Sequence, residues 1–225
     1  MIVPVAAGES YWPALLHDLS EQLPVGTQVL LAGVEREPDA FQDTVRAFRF
    51  DAKWLQTRPG RAAQMNDAAR IADAERLWFL HSDSRLPQAA CAALIAATTE
   101  QPDALHYFSL QFVDGPRMLR LNEFGVMLRC RLFGLPFGDQ GFCLGRELFW
   151  RLGGFDERSA YGEDHLFVWA ARRRGIRLHP VASVVKTSGR KYAERGWMRT
   201  TLRHLWLTFR QAVPEVIRLK WRRTA

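Results

Sequence analysis

Two acidic positions, far apart in the chain, carry residue types from which a reaction could be built. Asp83 lies in the polar set His81-Ser82-Asp83-Ser84-Arg85, which follows four unbroken apolar residues, Leu77-Trp78-Phe79-Leu80. A carboxylate there can hold a divalent cation against phosphate oxygens, because such cations take one or two carboxylates and complete their shell from substrate and water. The same residue, or Ser84, could instead cap a helix opening at Pro87. The second position is Tyr161-Gly162-Glu163-Asp164-His165, followed by an apolar-faced stretch and Arg172-Arg173-Arg174. Adjacent acids in a first helical turn complement the helix dipole and need no further role. At a helix amino terminus facing a cleft, however, a carboxylate reaches a proton donor and can act as a base.

These side chains need a scaffold. The unbroken run Leu77 to Leu80 reads as a strand buried on both faces, which predicts a central position in a parallel sheet covered by helices. Open α/β sheets place ligands beyond the carboxyl ends of such strands. Met1 to Ala6 and Gln28 to Ala32 read as further strands, with Ala52 to Leu55 a weaker one. Helices are predicted from Tyr11 to about Gln22, capped by Ser10, and from Phe41 to Phe48, after Gly60, and from Pro87 to Thr99. Ala104 to Phe112 adds a strand. Leu121, Phe124, Leu128 and Leu132 fall at helical spacing and predict a helix lying over the crevice. Phe142 to Leu144 reads as a short strand and Arg146 to Leu152 as a helix closed by Gly153-Gly154. A last amphipathic helix is predicted from Trp197 to Trp221, with Leu202, Leu205, Trp206 and Phe209 on its apolar side and a bend at Pro214.

The chain has 225 residues and a net charge of +7. The charge is uneven: residues 186–225 hold eleven Lys and Arg against two acids, so the body before them is slightly acidic. This excludes a body coated for nucleic acid and leaves a basic tail that can meet phosphate, on a nucleotide or on lipid headgroups. Cys91, Cys130 and Cys143 are too few and too scattered for a disulfide framework. With no basic leader and no apolar run of about 20 residues, the protein is expected in the cytoplasm, its tail helix packing its apolar side on its own domain or, as the alternative, lying on the inner face of a membrane.

Several motifs in order resemble glycosyltransferase family 2. They are Ile2-Val3-Pro4-Val5 with Glu9, Gly60-Arg61 with Gln64-Met65-Asn66, His81-Ser82-Asp83, Gly138-Asp139-Gln140-Gly141, Leu152-Gly153-Gly154-Phe155-Asp156, and Glu163-Asp164. The resemblance runs from Met1 to about Trp206 and is nearest to small bacterial members with a His-x-Asp metal motif. It implies a GT-A fold, a mostly parallel central sheet flanked by helices. Residues 1–192 would form the catalytic domain, with a nucleotide-binding half to about residue 112 and an acceptor half beyond it, and residues 193–225 a basic amphipathic helical tail. It further implies an inverting transfer of a sugar from a nucleotide-diphosphate donor to an acceptor hydroxyl.

In that scheme Asp83, with His81, would hold Mn²⁺ or Mg²⁺. Asp164 would be the base and Glu163 would orient the acceptor. Val5, Glu9, Arg61, Asn66 and Ser82 would line the nucleotide pocket, and Lys186, Arg190 and Lys191 would meet the diphosphate. Asp139 and Gln140 would lie on the loop beside donor and acceptor. The chain departs from the family at Leu31-Ala32-Gly33-Val34, where an acid usually follows the second strand, and at His81, where the metal motif usually has an acid. His81 can ligate a metal, bind phosphate or simply pack. Arg85 could pair with Asp83 or with phosphate, and His179 could be a third ligand or part of a turn with Pro180. These departures keep open a catalytically inactive nucleotide-sugar-binding or membrane-surface protein on the same scaffold. The enzymatic reading requires Asp83 and Asp164 to converge.

Overall fold

The computed structural model describes residues 1–224, with side chains described through Arg218. Strands and helices alternate through β1 (Ile2–Val5), α1 (Trp12–Leu19), β2 (Gln28–Gly33), α2 (Phe41–Val45), β3 (Asp51–Gln56), α3 (Arg61–Ile71), β4 (Arg76–Phe79) and α4 (Ala90–Glu100). The second half contains β5 (Leu105–Phe112), α5 (Leu119–Phe133), a 3-10 turn at Gly138–Gln140, β6 (Phe142–Gly145) and α6 (Arg146–Leu152). It ends with α7 (Glu163–Arg173), β7 (Leu178–Thr187), α8 (Arg190–Arg195) and α9 (Trp197–Thr224). Among the described residues, seven strands form one sheet in the order β3-β2-β1-β4-β6-β5-β7. Only β6 runs against its neighbours.

The unbroken apolar run predicted the central strand, and β4 is the middle one. Its side chains alternate between two cores, as the period of two requires. Leu77 and Phe79 join Ile2, Leu30 and Ala32 on the face covered by α3, α6 and α7. Trp78 and Leu80 join Val3, Val29 and Leu31 on the face covered by α1, α2 and α4. The edge strand β3 alternates exposed and half-buried residues, which is why it reads weakly. The three cysteines are free and buried.

Several boundaries differ from expectation. Helix α1 starts at Trp12 with a proline in its first turn and no side-chain cap, so Ser10 does not cap it. Helix α4 starts at Ala90, and Pro87 instead offers its carbonyl to the Ala90 N–H in a turn. His179 and Pro180 lie in β7, an edge strand whose register against β5 shifts just after them. An edge position with an irregular ladder tolerates proline, and the proline made the strand look like a turn. The His179 ring stands 5.5 Å from that of His106, at the amino ends of β5 and β7. It therefore faces the opposite edge of the sheet from Asp83 and is excluded as a third metal ligand.

The two amphipathic helices form, but their apolar sides face outward. On α5, Leu121, Phe124, Leu128 and Leu132 are exposed, so this stripe does not cover the crevice. On α9, Leu202, Leu205, Trp206 and Phe209 are exposed while Thr200 and Glu215 are buried. Pro214 lies inside α9 without ending it. Trp221, counted in the apolar pattern, lies outside the described side chains. No described helix is long and apolar enough to cross a membrane.

A pair of truncations separates core from surface. Phe149 is fully buried and packs its ring at tilted or edge-on angles against Phe79, Phe155 and Phe167. Phe149→Ala is expected to cost about 3–5 kcal/mol in urea unfolding. Phe124→Ala, on the exposed stripe, is expected to change stability by no more than about 0.5 kcal/mol.

Candidate functional site

Strand β1 has β2 on one side and β4 on the other, so the segments leaving their carboxyl ends diverge and open a crevice. Six segments converge there. After β1, Val5 is buried with its carbonyl accepting from Gln64 at 2.8 Å, and Glu9 turns back to accept the Ala6 N–H at 3.2 Å. After β4 come His81, the buried Ser82 and Asp83. The start of α3 supplies Arg61. Because β6 runs backwards, the turn before it, not the one after it, arrives at this edge with Asp139. The start of α7 supplies Glu163 and Asp164, and α8 brings Lys191.

Arg61 ties these segments together. Its guanidinium pairs with Glu163, reaches Asp164 at 3.9 Å and stands 3.4 Å from His81 Nε2. Burial and the Arg61 charge hold the His81 imidazole neutral, its pKa lowered to about 3. Asp164 accepts the Gly138 N–H at 2.6 Å and the His165 N–H at 2.9 Å, one on each oxygen. Burial pushes its pKa up, but Arg61 and these amides outweigh it and hold the carboxyl below its ordinary range. A Cβ at position 138 would lie 3.0 Å from the Asp164 side chain, so glycine permits this close approach. Gly162, with φ +68°, caps α7 in the left-handed region and aims its first turn at the crevice.

Asp83 and Asp139 carry the opposite tendency. Asp83 is pushed up by burial and by Glu9, against the pull of Lys191 and Arg61. Asp139 is pushed up to about 6, chiefly by burial, with the negative charges of both Asp164 and Asp83 adding to the effect. Its Oδ1 is buried without a hydrogen-bond partner. That one carboxyl feels both Asp83 and Asp164 places the two distant acids around one crevice.

Other expected site residues are used differently. The Asn66 amide is consumed by Phe155, donating to its carbonyl at 2.9 Å and accepting its N–H at 3.0 Å, and it also donates to Glu157. It anchors the Gly153-Gly154-Phe155 loop instead of presenting its amide to a nucleotide. Gln140 is buried and spans Phe108 O, Phe137 N and Arg129, so it shapes the loop that carries Asp139. Arg190 pairs with the Tyr11 hydroxyl and covers its ring at 4.7 Å, at the crevice rim. Lys186 is in β7, joined through its backbone to Arg85. Arg85 pairs with Asp18 at 2.6 Å, not with Asp83.

One acid was missed. Glu35, two residues beyond β2, accepts the Gly8 N–H at 3.2 Å in the turn after β1. Two residues further along the sequence was the signal that would have found it. Among the described residues no group of three or more His, Cys, Asp and Glu side chains is spaced to hold a metal by itself. Asp83 and His81 could therefore hold a cation only in company with ligand oxygens.

No family model matches the chain, and no curated protein matches it. Solved structures do match. A mannosyltransferase from Pyrobaculum calidifontis, PcManGT, in complex with GDP-Man and Mn²⁺, is 21% identical over 95% of this chain and 63% of its own, with a TM-score of 0.64. S. aureus TarS 1-349 is 16% identical over 83% of this chain and 59% of its own, at 0.62, and has also been solved with UDP-GlcNAc and with UDP. GalNAc-T7 with UDP, GalNAc and Mn²⁺ is 14% identical over 83% of this chain and 43% of its own, at 0.60. The fold is the GT-A fold of glycosyltransferases. This chain spans about three-fifths of the length of TarS 1-349 and of the mannosyltransferase.

The raised Asp139 carboxyl has a stability consequence. The folded state keeps its proton to about pH 6, whereas the unfolded chain releases it near the ordinary aspartate value of 3.8. Stability from this group is thus complete below pH 3.8 and is lost as pH rises through 6. Asp139→Asn is expected to stabilise the fold at pH 8 by up to about 3 kcal/mol, and to give no gain at pH 3.5. Urea unfolding at the two pH values measures the difference.

Proposed function

We propose that this chain is an inverting, metal-dependent glycosyltransferase that moves a sugar from a nucleotide-diphosphate donor to an acceptor hydroxyl. The observation that carries the reading is the gathering of Asp83, Asp139, Glu163 and Asp164 around Arg61 beyond β1 and β4. The fold is shared with proteins solved with UDP or GDP-Man, which supports a nucleotide-sugar donor. The nucleotide would enter between the turn after β1 and β4, where Glu9 and Glu35 stand beyond the carboxyl ends of β1 and β2. Glu35 then supplies the acid that the second strand otherwise lacks.

In the proposed reaction an acceptor hydroxyl attacks the anomeric carbon and passes its proton to Asp164. The bond from that carbon to the phosphate oxygen breaks, and the nucleoside diphosphate leaves with the electron pair. Asp164 is held ionised, so it is ready to accept a proton but is weakly basic. Transfer therefore comes late, once the forming bond has acidified the hydroxyl. Glu163, fixed by Arg61, would hydrogen-bond the acceptor. Asp83 and His81 would hold Mn²⁺ or Mg²⁺ together with phosphate oxygens, and the cation would offset the charge on the leaving group.

The double use of Asp164 by backbone amides favours a second reading, a nucleotide-sugar-binding protein without turnover. Transfer assays over UDP-, GDP- and TDP-sugars with Mn²⁺ separate the two. Asp164→Asn is expected to lower turnover about 10³-fold while calorimetry shows donor binding retained, and Asp83→Ala is expected to abolish Mn²⁺-dependent donor binding. Donor binding with neither transfer nor hydrolysis would establish the second reading, and absence of binding would remove both.

A further inference from the structure

Helix α9 is mounted inside out. Its polar side faces the body: Gln211 bonds to His165 at 3.0 Å and to the Tyr161 carbonyl at 2.8 Å, and the buried Glu215 pairs with Arg173. Its apolar stripe, with Trp206 and Phe209, is exposed. Helix α5 is exposed in the same manner along Phe124 and Leu128. Ordinary amphipathic helices bury the apolar side, so two adjacent exceptions call for something to cover them.

The two stripes form one platform. A seam joins the helices near their starts, where Asn122 donates to Thr201 at 3.1 Å and accepts from Trp197 at 2.6 Å. From the seam both run toward the carboxyl end of α7, where Arg172 meets the Phe133 carbonyl and Arg173 meets Glu215. Leu121 is one residue before Asn122, and Leu202 one residue after Thr201, so each stripe lies about 100° round its helix from the seam. Because the helices run the same way and the steps are of opposite sense, both stripes face one side. Counting round the helices, Arg199, Arg203 and Arg210 fall on the edge of α9 away from the seam. Arg120 and Arg131 fall on the far edge of α5, and all five are exposed. The acids of these helices point inward, Glu123 to the Phe112 N–H and Glu215 to Arg173.

The geometry points to an anionic bilayer as the occupant, with α5 and α9 lying in the plane of its interface. An apolar centre containing Trp206, a rim of arginines on both outer edges and no outward acid match the acyl boundary and the phosphates beside it. A second copy of the chain fits less well, since pairing such faces would bring cationic rims together. The inference stands apart from the transferase reading.

Flotation of the full chain with vesicles tests it, using phosphatidylcholine alone and phosphatidylcholine mixed with phosphatidylglycerol. Binding is expected with the mixed vesicles, falling with added salt, and is expected to be far weaker with phosphatidylcholine alone. The triple variant Arg199→Gln, Arg203→Gln, Arg210→Gln is expected to lose roughly a hundredfold in partitioning. Phe124→Glu with Trp206→Glu is expected to abolish it, with an unchanged thermal melt showing that the exposed sites leave the fold intact. No binding to the mixed vesicles, or binding unaffected by Phe124→Glu with Trp206→Glu, would overturn the proposal. So would a dimer by light scattering that the same pair of substitutions dissociates, because the face would then be covered by a second copy.

Discussion

Like charges crowded into a partly dry crevice raise one another's proton affinity, and Asp83 and Asp139, each beside other acids, are crowded in this way. Arg61 is the cation that makes the arrangement tenable. Its guanidinium engages the two acids of α7 and faces the His81 ring, so it links the strand that supplies one half of the site to the helix that supplies the other. The compensation is unequal. Asp164, within 3.9 Å of Arg61 and bonded to two amides, stays ionised, whereas Asp139, with one oxygen unpartnered, keeps its proton more readily. One crevice thereby contains carboxyl groups with different proton affinities.

The sheet explains how such distant residues meet. Parallel strands all deliver their following loops to one edge, which accounts for Glu9 and Asp83. Strand β6 points the other way, so it delivers its preceding turn to that edge and puts Asp139 opposite Asp83. Helix α7 is then held by the loop from Gly153 to Phe155, which Asn66 clasps from α3. Asn66 and Gln140 thus contribute to the site without facing it: each spends its amide on backbone groups that fix where a charged neighbour stands.

The sequence displayed the first half of the fold clearly, because a strand buried on both faces is a continuous apolar run, as at Leu77 to Leu80. It concealed β7, where Pro180 is tolerated only because the strand lies at an edge with an irregular ladder. Periodicity revealed α5 and α9 as helices but not what their apolar sides face, since a stripe of Leu and Phe looks the same whether it meets a core or the outside. At the site, Asp83 and Asp164 stood out by residue type and local setting. The ion pair between Arg61 and Glu163 spans 102 residues and leaves no local trace. Glu35 was overlooked because the acid sits beyond the strand end and reaches back to Gly8 only through the folded turn.

The polar mounting of α9 bears on how that helix would part from the body. Most docked helices bury hydrocarbon, and undocking them raises the heat capacity as water orders around it. Here the inner side is largely amide, hydroxyl and carboxylate, with Gln211, Thr200 and Glu215 among the groups released. Undocking would therefore carry a small heat-capacity change, and its equilibrium would depend more on ionic strength than on temperature.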